Sequence, residues 1–522
     1  MSPAPVDPAP VNPAPRRGWC PGLARPMPTG DGLLVRLHPV AGRLGADQAR
    51  AAAQAAREGG NGLLDVTARG NLQIRGVTAE SHGRVVAILG EAGLGDVRRD
   101  GGPQRLTLNA PLAGADGLRL VAAVEAIGWE IAGLPAKTLV AVEDAAGGLG
   151  PVEADVWVRL TSSVGSSFAR TSPSKARIFS SPRGRGEGFT PLVGGEASGG
   201  GAEARVRGSR RVRLLRTYPL TFGCRLASST TRSPKPSPRP RGEETRTLRH
   251  TNLDGAPGVQ QSILQLAIAT PDDPLWLAPS PAPAALANLR TLLHGLAASG
   301  ARRMRALAPP QRDALLNGLT LGEAPSATTV LPAGLHGRAL LAEFPFGRCD
   351  AALLDRIAGW SEAHGDGHLA LTPGRGIALI VRDESAAKTL REEAEAAGLI
   401  VDPADPRRAV AACPGAPACA SGGTPAQADA HRLAAAFAPL AGLGATAHVS
   451  GCPKGCALPG PATLTLVGRA DGRYGVVLEG NAGTATDLVL TFGAVLERLE
   501  SVRVRPAPDV ASDLRDAFRE PA

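Results

Sequence analysis

A chain of 522 residues exceeds what one hydrophobic core supports and implies several domains. Its 43% hydrophobic content is that of a globular protein, and no apolar run approaches the roughly 18 residues of a membrane span, which argues against an integral membrane protein. The formal charge of +9 does not argue for nucleic acid: 18 Lys and Arg against 5 Asp and Glu between Arg170 and His250 put +13 in that segment and leave −4 for the remainder.

In chain order, residues 1–17 (MSPAPVDPAPVNPAPRR) alternate proline with small residues, lack the apolar stretch of a secretory signal and read as a disordered tail. Residues 18–90 carry a strand at Gly32–Leu37 (GLLVRL), a helical pattern at Ala46–Glu58, and two strands about a turn within Leu63–Val77 (LLDVTARGNLQIRGV). Residues 91–161, continued at about 251–325, read as a first larger α+β domain. Between those pieces, residues 162–250 show no apolar periodicity and nearly repeat SPRGRGE (from Ser181) as SPRPRGE (from Ser237). They are predicted to be a disordered basic insertion, and they lack the interleaved aromatics of a nucleic-acid tether. Residues 326–400 then echo the first unit, with a strand at Ala339–Phe344, a helix at Ala351–His364 and strands within Leu369–Val381. In that helix Leu353, Ile357 and Trp360 make one apolar face. Two such units predict an α+β protein with a pseudo-twofold axis and a site where the halves meet.

Seven cysteines are too few for a disulfide scaffold, and their odd number leaves one unpaired, which suits a reducing cytoplasm. Four of them lie in residues 401–522 as two pairs: Cys413 and Cys419 in ACPGAPAC, and Cys452 and Cys456 in HVSGCPKGC. Both segments contain glycines and prolines that forbid long regular structure. Structural zinc takes pairs two to four residues apart, for which the five-residue gap of the first pair is loose. An iron–sulfur cube needs four thiolates around a bulky anion, with glycines letting backbone N–H groups approach the sulfurs. Four buried free cysteines are the bland alternative. Cys20, Cys224 and Cys349 have no such company and read as lone thiols.

The pattern CxxxxxC followed by SGCxxGC resembles the cluster-binding part of nitrite and sulfite reductases, whose halves also repeat. The resemblance implies a 4Fe-4S cluster on Cys413, Cys419, Cys452 and Cys456. It implies ferredoxin-like half domains at 18–90 and 326–400, and two larger α+β domains that bind cluster and tetrapyrrole at 91–161 with about 251–325 and at 401–522. TARGNLQIRG (Thr67–Gly76) is similar to the reductase motif that brings an arginine and a glutamine, here Arg69 and Gln73, to the tetrapyrrole and substrate. RLTLNAPLAG carries Arg105 where those enzymes have a second active-site arginine; LPAK puts Lys137 at the first of two reductase lysines, and the second falls on Leu139. The opening WCPGLARPMPTGDGLLVRLHPVAGRL (Trp19–Leu44), with ACPGAPACASG and HVSGCPKGCALPGPATLTLVG, resembles one family of that superfamily, the precorrin-3B synthases of aerobic cobalamin biosynthesis.

That likeness implies an O2-dependent monooxygenase that hydroxylates precorrin-3A and closes a γ-lactone, with a 4Fe-4S centre and a mononuclear non-haem iron and without sirohaem. An anionic tetrapyrrole calls for guanidinium groups. Arg69, Arg105 and Lys137 are the expected catalytic residues, and with Gln73 they are the expected substrate ligands. Arg25, Arg36 and Arg75 are weaker candidates, the last two at strand positions where a solvated charge is the alternative. Without a GxGxxG turn after a strand, electrons are expected from outside, formally from NADH through a reductase or ferredoxin. The nine histidines offer no convincing facial triad for the iron, and His448 beside the cysteines suits a hydrogen bond to a thiolate or the backbone. The rival readings are a sirohaem-dependent sulfite or nitrite reductase, against which Leu139 weighs, and a non-catalytic iron–sulfur carrier or zinc-stapled binding protein. Two departures from the family pattern stand out: the basic insertion after DVWVRL, and Leu458 where the family has histidine after GCA.

Overall fold

The computed structural model describes residues 19–144, 147–150, 152–162, 261–502 and 510–519. The proline-rich tail, Cys224 and all but the first residue of the basic segment therefore lie outside the described residues.

Period-two alternation builds the first sheet. β1 (Met27–Thr29) and β2 (Gly32–Leu37) form a hairpin, followed by β3 (Arg43–Gly45), α1 (Ala46–Gly59), β4 (Leu63–Val66), β5 (Leu72–Val77) and α2 (His82–Glu91). Val35, Leu37, Leu64, Leu72 and Ile74 are fully buried against the alanine face of α1, where Ala49, Ala52, Ala53 and Ala56 allow close approach. The other face of the sheet is polar. Arg36 stands opposite Gln73, and Gln73 opposite Asp65, so these side chains form one row across β2, β5 and β4.

The first larger domain comprises β6 (Thr107–Asn109), α3 (Ala115–Glu130), β7 (Val140–Glu143), β8 (Val156–Ser162), β9 (Ile263–Ile268), β10 (Leu275–Trp276), β11 (Ser280–Pro281), α4 (Ala282–Ala298) and α5 (Pro309–Leu316). Its sheet runs β10-β9-β8-β7-β6, with β6, β7 and β8 parallel and β9 antiparallel to β8. The β8–β9 pairing runs from Val156 opposite Ile268 to Ser162 opposite Ile263, with a register shift between Leu160 and Ser162, so the two strands on either side of the basic segment are paired.

The second repeat follows with β12 (Gly334–His336), β13 (Ala339–Glu343), β14 (Arg348–Asp350), α6 (Ala351–His364), β15 (His368–Leu371), β16 (Gly376–Ile380) and α7 (Glu384–Ala396). Asp350 caps α6 by accepting from Leu353 N at 2.7 Å. The buried face of α6 centres on Leu354, Ile357 and Ala358, with Leu353 at its margin.

The two repeats exchange their third strands. β14 pairs with β4 of the first sheet, giving β1-β2-β5-β4-β14, and β3 pairs with β15 of the second, giving β12-β13-β16-β15-β3. One apolar core therefore holds side chains from both repeats, with α1 packed on α6. The ion pairs Arg50–Glu362 and Arg57–Asp355 also cross between these helices, but they are open to solvent and worth at most about 1 kcal/mol each. Apolar burial is what joins the halves.

The last domain is β17 (Val410–Ala412), α8 (Ala426–Ala441), β18 (Ala447–Ser450), β19 (Ala462–Gly468), β20 (Tyr474–Gly480), β21 (Val489–Leu490), α9 (Phe492–Glu500) and α10 (Val510–Ala517). β17, β18 and β19 are parallel and β20 reverses, the pattern of β6 to β9. Parallel neighbours leave their carboxyl-end loops side by side, which is where open α/β sheets bind ligands.

Candidate functional site

Those loops carry the cysteines. Cys413 directly follows β17, and Cys452 and Cys456 follow β18. Cys413 is buried and Cys419 and Cys452 are half-buried; Cys456 is exposed as a residue. The four thiols feel one another. Burial pushes the Cys413 thiol up against the opposing N–H groups of Gly451 and Gly415, with Cys452 and Cys419 adding to the rise, and burial and then Cys452, Cys413 and Cys419 raise Cys456. The loops meet backbone to backbone: a Cβ on Gly451 would lie 3.0 Å from Gly415 Cα and 3.4 Å from Gly422 Cα. That closeness lets Gly451 N donate to the Cys413 sulfur at 3.0 Å.

His448 on β18 is completely buried, and among the described residues neither ring nitrogen has a hydrogen-bond partner. Burial, and then the nearby Arg375, depress it to about 4, so it is neutral at physiological pH. A buried imidazole without partners is costly, and this one lies against Gly455 of the second cysteine loop. Among the described residues no three His, Cys, Asp or Glu side chains converge to cage a single metal ion. Two cysteine loops in backbone contact, a glycine cradle and an orphaned imidazole together fit a larger cluster with its own hydrogen-bond acceptors.

A cationic site lies on the polar face of the first sheet. Gln73, with its amide oxygen turned to Arg36, accepts from Nε at 2.9 Å and Nη2 at 2.5 Å. Arg69 projects from the β4–β5 turn, which closes with Gly70 N on Thr67 O at 2.9 Å and needs Gly70 at φ 60°. Its Nη1 donates to Lys137 O at 3.2 Å, and Arg69 and Lys137 line one cavity of about 560 Å³ with Arg302, Arg303 and Arg305. Burial, and then mutual or neighbouring positive charge, lowers both Arg36 and Arg69. Neither makes an ion pair among the described residues, so both are free to take an anion. His38, between Arg36 and Arg105, is driven down to about 3 by burial and those charges and stays neutral.

The structure gives the other expected residues distinct surroundings. Arg105 is buried and donates to main-chain carbonyls, with Nη1 on Pro39 O at 3.2 Å and Gly70 O at 3.0 Å and Nη2 on Arg69 O. It holds up the Arg69 turn; burial brings it to about 10. Arg75 is neither solvated nor in the cationic site. It is 2% exposed, bound to Asp31 through Nε and Nη2 at 2.9 Å each and to Asp65 through Nη1 at 3.1 Å, and it donates to Ala418 O beside Cys419. Arg36, doubted as a strand charge, is the better placed of the pair. Arg25 is exposed and stacks over Trp19 at 4.1 Å, while Lys137 is exposed at the cavity rim. Sequence reasoning missed His38, Arg303 and Arg375. The run ARRMR at 301–305 was the available signal for the second of these. Cys20 is also less isolated than expected: its thiol lies within electrostatic reach of Arg36 and Arg69 and donates to Ala136 O at 3.5 Å.

The nitrite/sulfite reductase ferredoxin-like half-domain model matches residues 25–92 and 336–397, one match per repeat. A precorrin-3B synthase from Sinorhizobium sp is 30% identical over 479 residues, covering 90% of this chain and 84% of that protein. This chain belongs to the precorrin-3B synthase family. The Mycobacterium tuberculosis NirA protein, at 16% identity, shares the fold with a TM-score of 0.57 over 93% of this chain and 85% of its own. Leu139 is 3% exposed and packs with Leu108 and Ala141 in a small apolar cluster. Among the described residues no helix is long and apolar enough to cross a membrane.

Proposed function

We propose that this protein is a cytoplasmic precorrin-3B synthase that hydroxylates precorrin-3A with O2 and closes an acetate side chain into a γ-lactone. The observation that carries the reading is the pairing of sites on β5. Gln73 orients Arg36 in the cationic site, while Arg75, two residues on along the same face, holds the carbonyl beside Cys419. An anion site and a four-thiol site are thus neighbours on one strand.

The role of each residue follows from its surroundings. Arg36 and Arg69 meet carboxylates of the tetrapyrrole as bidentate forks, each such contact worth about 1.5–3 kcal/mol. Arg105 fixes the turn that aims Arg69. Lys137 adds a mobile charge at the rim, and His38 contributes a neutral hydrogen-bonding edge. Cys413, Cys419, Cys452 and Cys456 would hold a 4Fe-4S cluster, which passes electrons one at a time. One oxygen atom of O2 enters the product and the other leaves as water, so each turnover consumes two electrons and two protons. They come from an external donor, NADH through a reductase or ferredoxin.

The test is turnover of precorrin-3A under 18O2 by the anaerobically purified protein, with iron, sulfide and zinc assays and a visible spectrum. One labelled oxygen in a lactone product, from a brown protein with acid-labile sulfide, is the expected result. A sharp Soret band would replace this reading with a sirohaem reductase, and a colourless zinc protein would end both.

A further inference from the structure

The hairpin turns of the two repeats superpose in their hydrogen bonding. In the first, Thr67 N donates to Asn71 O and Gly70 N to Thr67 O, both at 2.9 Å; in the second, Thr372 N donates to Gly376 O at 2.9 Å and Arg375 N to Thr372 O at 3.0 Å. Arg375 therefore stands where the first repeat has Gly70, and both have φ 60°. A long side chain in the left-handed region is strained unless its surroundings need it. Here the surroundings are the cysteine loops: Arg375 Nη2 donates to Ala457 O at 2.7 Å, immediately after Cys456.

Arg75 does the same for the other pair, through Ala418 O beside Cys419. Each repeat thus sends one arginine to one cysteine loop, Arg75 fully buried and Arg375 half-buried. Their electrostatics differ. Arg75 is neutralised by Asp31 and Asp65, whereas Arg375 has no ion pair among the described residues. Asp65, the acid that Arg375 feels, is already held by Arg75 and by Arg348 at 2.7 Å. The charge on Arg375 reaches the Cys413 thiol and His448.

Resting on the reading of the four thiols as a 4Fe-4S site, we infer that Arg375 is a positioning residue that clamps the Cys456 loop and sets the cluster's reduction potential with an uncompensated positive charge. Reduction adds an electron to an already anionic centre, so a nearby cation favours the reduced form. Arg75, its charge offset, fixes its loop with little effect on potential.

The experiment is an EPR-monitored redox titration of the full-length holoprotein and of R375G and R375K, after iron and sulfide assay of the unsubstituted protein. Glycine suits φ 60°, as Gly70 shows, so R375G keeps the turn and removes only the side chain. The expected result is a roughly tenfold fall in the equilibrium constant for reduction in R375G, about 59 mV for one electron, with most of it restored in R375K. A potential unchanged in R375G, or shifted equally in both variants, overturns the inference. Absence of iron and sulfide from the unsubstituted protein instead overturns the cluster reading beneath it.

Discussion

Replacing Arg75 by methionine keeps the apolar stem and deletes the guanidinium. The cost can be worked from the contacts. Asp65 retains Arg348 through two bonds of 2.7 and 3.1 Å, so it is not orphaned. Asp31 loses both of its 2.9 Å bonds to Arg75 and keeps only Thr29 Oγ1 at 2.8 Å and Asn61 Nδ2 at 3.1 Å. Ala418 O loses a donor in a buried position. Breaking a buried pair costs about 3–5 kcal/mol, and the neutral partners left to Asp31 place this case near the lower figure, about 3 kcal/mol. Hydrogen exchange of peptides spanning residues 63–77 reads the local opening, and about 3 kcal/mol corresponds to a loss of protection of roughly 100-fold or more. A cycle with Asp31→Asn isolates the pair: the double variant should cost less than the sum of the singles by about 1.5–3 kcal/mol. A loss of protection below about fivefold, or strict additivity, would refute the claim that Arg75 is a buried structural hub.

Arg69→Ala should leave the visible chromophore intact and weaken tetrapyrrole binding about 10- to 100-fold, measured by absorbance or fluorescence titration with a porphyrinogen analogue. Cys452→Ser should bleach the chromophore and abolish turnover, with iron and sulfide content falling together. Excising the chain between β8 and β9 and closing it with a short Gly-containing turn should leave folding and turnover within about twofold of the full-length protein, because Ser162 already stands opposite Ile263; loss of soluble protein would show that the segment supports the sheet.

The parts legible in the sequence were those with local periodicity or fixed chemistry. GLLVRL and LQIRG announce alternating strands, and Ala351–His364 announces an amphipathic helix whose buried stripe holds Ile357 and Trp360 as expected and Leu354 in place of Leu353. The cysteine spacing was readable because loops after adjacent parallel strands are the natural place for such pairs. The exchange of β3 and β14 was not readable. Each has three residues, too few to show a period, and each pairs with a strand about 300 residues away in sequence.

The arginines show where sequence reasoning stops for a physical reason. Gln73 and Arg75 lie two apart and must share a face, and the sequence says that this face is polar. It cannot say that the Ala418 carbonyl of the cysteine domain closes over Arg75 while Gln73 meets Arg36. Whether a guanidinium is a substrate ligand or a strut depends on which acceptors arrive from elsewhere. Among the described residues Asp31, Asp65 and Ala418 take four bonds from Arg75, and Pro39, Arg69 and Gly70 take three from Arg105; only a neutral amide meets Arg36, and a single carbonyl meets Arg69. Unspent donors near unbalanced charge are therefore a better guide to an anion site than the arginine motif alone; under the proposed reading Arg36 and Arg69 carry the binding, while Arg105 supports the Arg69 turn and Arg75 the Cys419 loop.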